Sequence, residues 1–229
     1  MRQSSMIPGL VAVLALAACA PTQPPSQADA AAASAPVVAP PPPPEPTAGT
    51  AAPIFSQLVY FHVPTRFVSV YEKRQGAGYV HEWLPPGETT ANWTQMVSAT
   101  GFESLAAKHR DATPKALATN IAAGFQRACP TSFVAKSFYE GQLFSHDAFV
   151  MVVGCGSAAA SGGHSETTAI TVIKGAKDFY TLQWAERGNP TQAPQIDDAL
   201  WASRIKTLMP FKLCPIKKKE KAPYPSCVA

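Results

Sequence analysis

From Gln57 onward, short apolar runs alternate with turn residues. Gln57 to Val63 (QLVYFHV), Arg66 to Arg74 (RFVSVYEKR) and Tyr79 to Leu84 (YVHEWL) are rich in Val, Phe and Tyr, and Pro64 and Gly76-Ala77-Gly78 separate them. This pattern predicts three strands. In the second run Phe67, Ser69 and Tyr71 alternate with Val68, Val70 and Glu72, so neither face is cleanly polar. A fourth strand is expected over Trp93 to Ala99, after a Pro85-Pro86-Gly87 loop that cannot continue a ladder. Thr113-Pro114 then carries a helix-start signal, a capping hydroxyl followed by a proline tolerated in the first turn. Leu117, Ile121 and Phe125 recur every four residues as an apolar stripe facing the sheet, and Cys129-Pro130 stops the helix near Ala128.

Strands resume at Ser132 to Tyr139 and at Ala148 to Gly154, the latter apolar throughout, as expected of a strand buried on both faces. Gly156 to Ser165 is a small-residue loop. Thr168 to Lys174 and Phe179 to Ala185 flank Gly175-Ala176-Lys177-Asp178 and predict a hairpin. A last helix over Asp197 to Leu208 keeps Trp201, Ile205 and Leu208 at helical spacing, with Asp197 and Asp198 at its dipole-favoured end. Several strands, a helix, several strands and a helix, joined by short links, predict an α+β domain: an antiparallel sheet with helices packed on it.

Ahead of this domain the pattern changes. An apolar run beginning near Ile7 follows Arg2 and ends at Cys19; it is shorter than the roughly 20 residues a spanning helix needs and has the layout of an export signal. From Ala20 to Ala52 the chain is almost wholly Ala, Pro, Ser, Thr and Gln, with five consecutive prolines from Pro40 to Pro44. Such a segment buries no core and is expected to be a disordered, partly polyproline II leash. At about 3.1 Å per residue it reaches on the order of 100 Å. The organisation is therefore a signal over 1–18, a tether over 19–52, and one domain over 53–229, roughly 175 residues and enough for a single core.

Leu16-Ala17-Ala18-Cys19 resembles the lipobox of bacterial lipoprotein signal peptides. The resemblance implies that the Cys19 thiol carries diacylglycerol, that cleavage makes Cys19 the first residue, and that fatty acyl groups such as palmitate fix it to a membrane. One chain anchors only marginally, so two or more are needed. Ala20, where an aspartate would signal inner-membrane retention, implies the periplasmic side of the outer membrane.

Four further cysteines, Cys129, Cys155, Cys214 and Cys227, suit disulfides in an oxidising compartment. Three connectivities are open. Sequence proximity favours Cys214 with Cys227 and, by default, Cys129 with Cys155. No pair has metal-ligand spacing with a second cysteine or a histidine, so no metal is expected. The formal net charge is only +4, and Lys217, Lys218, Lys219 and Lys221 supply much of the excess; nucleic acid is not an expected partner.

The closing run Phe179-Tyr180-Thr181-Leu182-Gln183-Trp184, with the helix around Trp201 to Leu208 and Pro210-Phe211, resembles the C-terminal strand and helix of PsbP-like domains, the group containing DcrB-like envelope lipoproteins. That resemblance implies an α-β-α sandwich and an accessory or assembly role without catalysis, and it transfers no functional residue.

Motifs for chemistry fail individually. Gly154-Cys155-Gly156-Ser157 lacks the G-x-S-x-G elbow. His81-Glu82 has Pro85 where a zinc protease motif needs its second histidine. His146 and Asp147, neighbours at a strand start, point to opposite faces. The expected function is thus a non-enzymatic binding or assembly module of the cell envelope, without cofactor, that contacts an envelope protein or peptidoglycan. Its expected contact surface is the strand-loop segment Glu82, Trp83, Glu88, Asn92 and Trp93, where two aromatics bracket a rigid loop. One alternative is a hydrolase of peptidoglycan or a small ester using His146, Asp147 or His164. Another is a structural component of a secretion or pilus apparatus.

Overall fold

The computed structural model describes residues 45–159, 162–192 and 194–228, and Cys19 with its signal and most of the expected tether lie outside them. Strands β1 (Thr47–Ile54), β2 (Gln57–Pro64), β3 (Val68–Gln75), β4 (Gly78–Leu84) and β5 (Gln95–Phe102) come first, then helices α1 (Leu105–Lys108) and α2 (Pro114–Ala128). Strands β6 (Phe133–Leu143), β7 (His146–Cys155), β8 (Ser165–Lys174) and β9 (Phe179–Gly188) follow, and α3 (Asp198–Thr207), β10 (Lys212–Pro215) and α4 (Pro225–Val228) close the chain.

The fold is α+β. Seven strands in the order β3-β4-β5-β9-β8-β7-β6 form one sheet, and β1-β2-β10 form a second; every pairing is antiparallel. On one face of the large sheet, Val97, Ala99, Leu182, Trp184 and Val152 pack against Val59 and Phe61 of β2 and Trp201 of α3. On the other, Phe149, Met151, Val153, Ile170 and Val172 pack against α2. The layers are therefore a helix, the sheet, and a mixed layer of small sheet and helix.

The helix starts follow the sequence signals. The Thr113 hydroxyl accepts from Ala116 N at 3.1 Å, and Asp197 Oδ1 accepts from Leu200 N at 2.9 Å. In α2 the residues nearest the sheet are Ala118 and Ala122, both buried, while Leu117, Ile121 and Phe125 are only partly buried beside them. Small side chains at the line of contact let the helix lie close to the strands.

Two disulfides, Cys129–Cys155 and Cys214–Cys227, adopt the pairing that proximity favours. The first fastens the end of α2 to the end of β7. The second folds the lysine-rich segment back beside β10.

The tether expected to run through Ala52 ends earlier. Residues 47–52 belong to β1, which pairs with β2 from Thr47↔Pro64 to Ile54↔Gln57. A strand on the edge of a sheet gains its ladder from its neighbour, so β1 needs no apolar pattern of its own. Its Gly49 is fitted to that neighbour, because a Cβ there would collide with the Tyr60 ring.

Candidate functional site

β3 is one edge of the large sheet, and all eight of its residues are exposed. Together with β4 it presents chemistry on both faces.

On the helix face, α2 packs over β6, β7 and β8 and leaves the β4-β5-β9 half of the sheet partly open. Register aligns two rows of side chains there: Glu82, Ser98 and Gln183, and beside them Val80, Thr100 and Thr181. Gln183 Nε2 ties the first row to the second by donating to Thr181 Oγ1 at 3.0 Å, and Thr181 is bonded to Thr100 at 2.7 Å. Glu82 has no hydrogen-bond or ion-pair partner among the described residues. Burial pushes its carboxyl above the ordinary glutamate range. Opposite it on β3 stands Tyr71, 40 % exposed. A half-buried carboxylate without a donor, beside an amide and a hydroxyl, suits a ligand rich in N–H groups.

The strip is closed at one end by the loop after β4. Trp93, 6 % exposed, packs on Leu84, Met96 and Ala185. The Arg187 guanidinium covers its ring at 3.9 Å and donates to Glu166 at 3.3 Å. The Glu88 carboxylate accepts from Thr94 N at 2.7 Å and from the Thr94 hydroxyl at 2.6 Å, and Asn92 exchanges backbone hydrogen bonds with Thr89.

These positions correct the expected contact surface. Trp83 is 7 % exposed and Trp93 is slightly more buried still, so neither aromatic is available to a partner. Trp83 lies opposite Val97 in register and meets Phe61 edge-on at 5.5 Å, which commits its face of β4 to the core. Glu88 is used in bracing the loop. Of the five residues, Glu82 alone combines partial exposure with an unused functional group on the open strip.

On the opposite face of the hairpin a hydrogen-bonded chain has formed that the strand pattern alone does not reveal. Ser69 Oγ lies 2.8 Å from His81 Nε2, His81 Nδ1 lies 3.3 Å from the Tyr79 hydroxyl, and that hydroxyl donates to Glu72 Oε1 at 2.8 Å. Because Tyr79 gives its proton to Glu72, its oxygen accepts from Nδ1–H, and Nε2 is left to accept from Ser69. The His81 ring stacks on Trp83 at 3.7 Å. Burial holds its pKa below the usual histidine value, with the Glu72 charge opposing, which favours the neutral ring. A serine on a neutral, oriented imidazole is a nucleophile-base arrangement. The signal that was available is the Gly76-Ala77 turn, which sets the pairing Glu72↔His81.

His146, Asp147 and His164 do not converge. His146 opens β7, whereas His164 precedes β8, and Glu166 of β8 pairs with Cys155 at the far end of β7. The separation is the length of the strand, about 30 Å at about 3.3 Å per residue. Asp147 accepts from Gln142 at 3.2 Å. Among the described residues no cluster of His, Cys, Asp and Glu has the makings of a metal site.

No protein-family model matches the sequence, and no curated protein matches it either. Among solved structures, the Saccharomyces cerevisiae Ran-binding protein Mog1p is similar at a TM-score of 0.40 and 7 % identity, over 72 % of this chain and 86 % of that one. A mutant of protein Mog1 is similar at a TM-score of 0.39 and 7 % identity, over 71 % of this chain and 86 % of that one. Likeness at this level carries no argument about partner or activity.

Proposed function

We propose that this protein is a lipid-anchored envelope module that binds a partner without catalysis, and that the open strip around Glu82 is where it does so. The observation that carries the reading is the half-buried carboxylate of Glu82, left without a partner in a row of polar side chains. A carboxylate desolvated at a cost and bonded to nothing among the described residues is suited to a basic or donor-rich group on an envelope protein or peptidoglycan. The lipobox-like Leu16-Ala17-Ala18-Cys19 supports acylation at Cys19 and residence at the outer membrane, facing the periplasm. The two disulfides support an oxidising compartment.

The test is site-specific photo-crosslinking in intact cells from a probe at Tyr71, beside Glu82. A discrete adduct that is lost in Glu82→Ala is expected. An adduct pattern indifferent to Glu82 would sink the reading. Fatty-acid labelling is expected to mark the parent protein and to be lost in Cys19→Ser, and a parent protein that takes up no label would remove the anchor from the proposal.

A second reading has its own observation. The 2.8 Å contact between Ser69 and His81 supports a hydrolase of a small ester or of peptidoglycan. A fluorophosphonate probe distinguishes the two: labelling of Ser69 that disappears in Ser69→Ala and His81→Ala favours the hydrolase, and an unlabelled protein favours the binding module.

A further inference from the structure

One end of the large sheet gathers features that nothing in the proposed function uses. The two-residue turn joining β6 to β7 is Phe144-Ser145, with φ of 48° and 68°. This left-handed conformation suits a hairpin but is ordinarily filled by Asn, Asp or Gly. A phenylalanine there is strained, and its ring is 55 % exposed. The β8–β9 loop, Gly175 to Asp178, lies beside it, because Ala148 of β7 pairs with Ile173 of β8 and neighbouring strands are about 4.8 Å apart. That loop presents Lys177 to solvent.

The C-terminal segment arrives at the same end. Gln57 Oε1 accepts from Ala176 N at 3.1 Å, and Pro215 of β10 pairs with Gln57. The next residues are Ile216, 48 % exposed, and the exposed lysines Lys217, Lys218 and Lys219. The Cys214–Cys227 disulfide holds this stretch against the domain. From the helix side, Ala107 N donates to Lys177 O, which brings Lys108 close, and Lys174 Nζ donates to Arg110 O. The side chains of Lys108, Arg110, Lys177, Lys218 and Lys219 form no ion pair among the described residues. Opposing acids are few. Glu220 stands beside Lys217 but accepts from Ser226, Asp147 accepts from Gln142, and Asp111 adjoins Arg110.

We infer that this end of the domain docks on an anionic lipid surface, with Phe144 and Ile216 entering the headgroup region and the lysines meeting phosphate groups. Charge complementarity selects an anionic surface. The composition selects lipid over protein, since protein interfaces are depleted in lysine and built around a contiguous aromatic or aliphatic centre. Here two separated apolar tips stand among exposed point charges, the arrangement of an interfacial anchor. The inference is independent of acylation and of Glu82.

The experiment uses the chain from position 19 onward with Cys19→Ser, so that neither the apolar run before it nor an acyl group contributes, and sedimentation with vesicles of phosphatidylcholine alone or mixed with phosphatidylglycerol. Binding to the mixed vesicles only, weakened by salt, is expected. Neutralising Lys217, Lys218 and Lys219 together should lower affinity about a hundredfold, at about fivefold for each lysine. Phe144→Asn with Ile216→Asn should lower it at least about tenfold; asparagine keeps the left-handed turn, so the hairpin is preserved. Equal binding to both vesicles, or no binding, overturns the inference. Retention of parental affinity by the Phe144→Asn/Ile216→Asn protein also overturns it, because the end would then be a general polyanion site.

Discussion

Asp178 Oδ1 accepts from the backbone N–H of Ser104 at 2.6 Å across 74 residues of sequence. The same carboxylate accepts from Ser56 N at 3.0 Å, from the Ser56 hydroxyl, and from Tyr180 OH at 3.0 Å. Only 1 % exposed, Asp178 ties the β1–β2 turn, the start of α1 and the β8–β9 loop to one point. Burial pushes its pKa up, but the hydrogen bonds from Ser56, Ser104 and Tyr180 outweigh that and hold it below the ordinary aspartate range.

A carboxylate whose folded pKa is depressed stabilises the fold above its unfolded pKa of about 3.9, and that stability is lost as pH falls through the folded value. Asp178→Asn should therefore cost about 3 kcal/mol at neutral pH. The difference from the parent should shrink in acid below about pH 4. Denaturant titrations at several pH values check this, and a penalty that does not vary with pH would mean the charge is immaterial.

Glu82 has the opposite sign. Its folded pKa is raised by burial, so stability is greatest with the group protonated and declines as pH rises through the folded value. Glu82→Gln is expected to stabilise the domain at neutral pH, by no more than about 0.5 kcal/mol because the group is partly solvated. The gain should vanish below about pH 4. Thermal melts at both pH values measure it. A variant that is less stable at neutral pH would show that Glu82 serves the fold.

Trp83 sits in the main core, edge-on to Phe61 and under His81. Trp83→Ala should cost about 3–5 kcal/mol, as for other large core truncations. Trp93→Ala should cost less, about 2–3 kcal/mol, since it removes a cap over a smaller cluster and the Arg187 stack. Equilibrium unfolding by intrinsic fluorescence and circular dichroism reads both losses.

The Cys214–Cys227 disulfide spans a sequence separation of 13. Replacing both cysteines with serine should cost about 3 kcal/mol by the chain-entropy relation. It should also open the lysine segment to trypsin, and limited proteolysis followed by mass spectrometry would show new cuts after Lys217, Lys218 or Lys219. Unchanged cleavage would mean that α4 packing alone holds the segment.

Much of the framework was legible along the chain. Thr113-Pro114 and Asp197 set helix starts by local capping, and the β8–β9 hairpin followed from its flanking strands and loop residues. The favoured disulfides formed as proximity suggested. Local signals suffice for such features because the interacting atoms are a few residues apart. β1 and β10 were not legible, since small or mixed residues become strands there by completing the ladder of β2.

The site depended on register, which periodicity does not fix. Trp83 and Glu82 are adjacent in sequence, yet one lies in the core and the other on the open strip, because successive strand residues point to opposite faces and only pairing with β5 decides which face is covered. The sequence by itself determined the class and order of the longer elements from β2 to α3 and the residues able to form crosslinks. Tertiary structure decided which carboxylate was buried with four donors and which was left with none, because desolvation and partner count are properties of what other parts of the chain bring to a point.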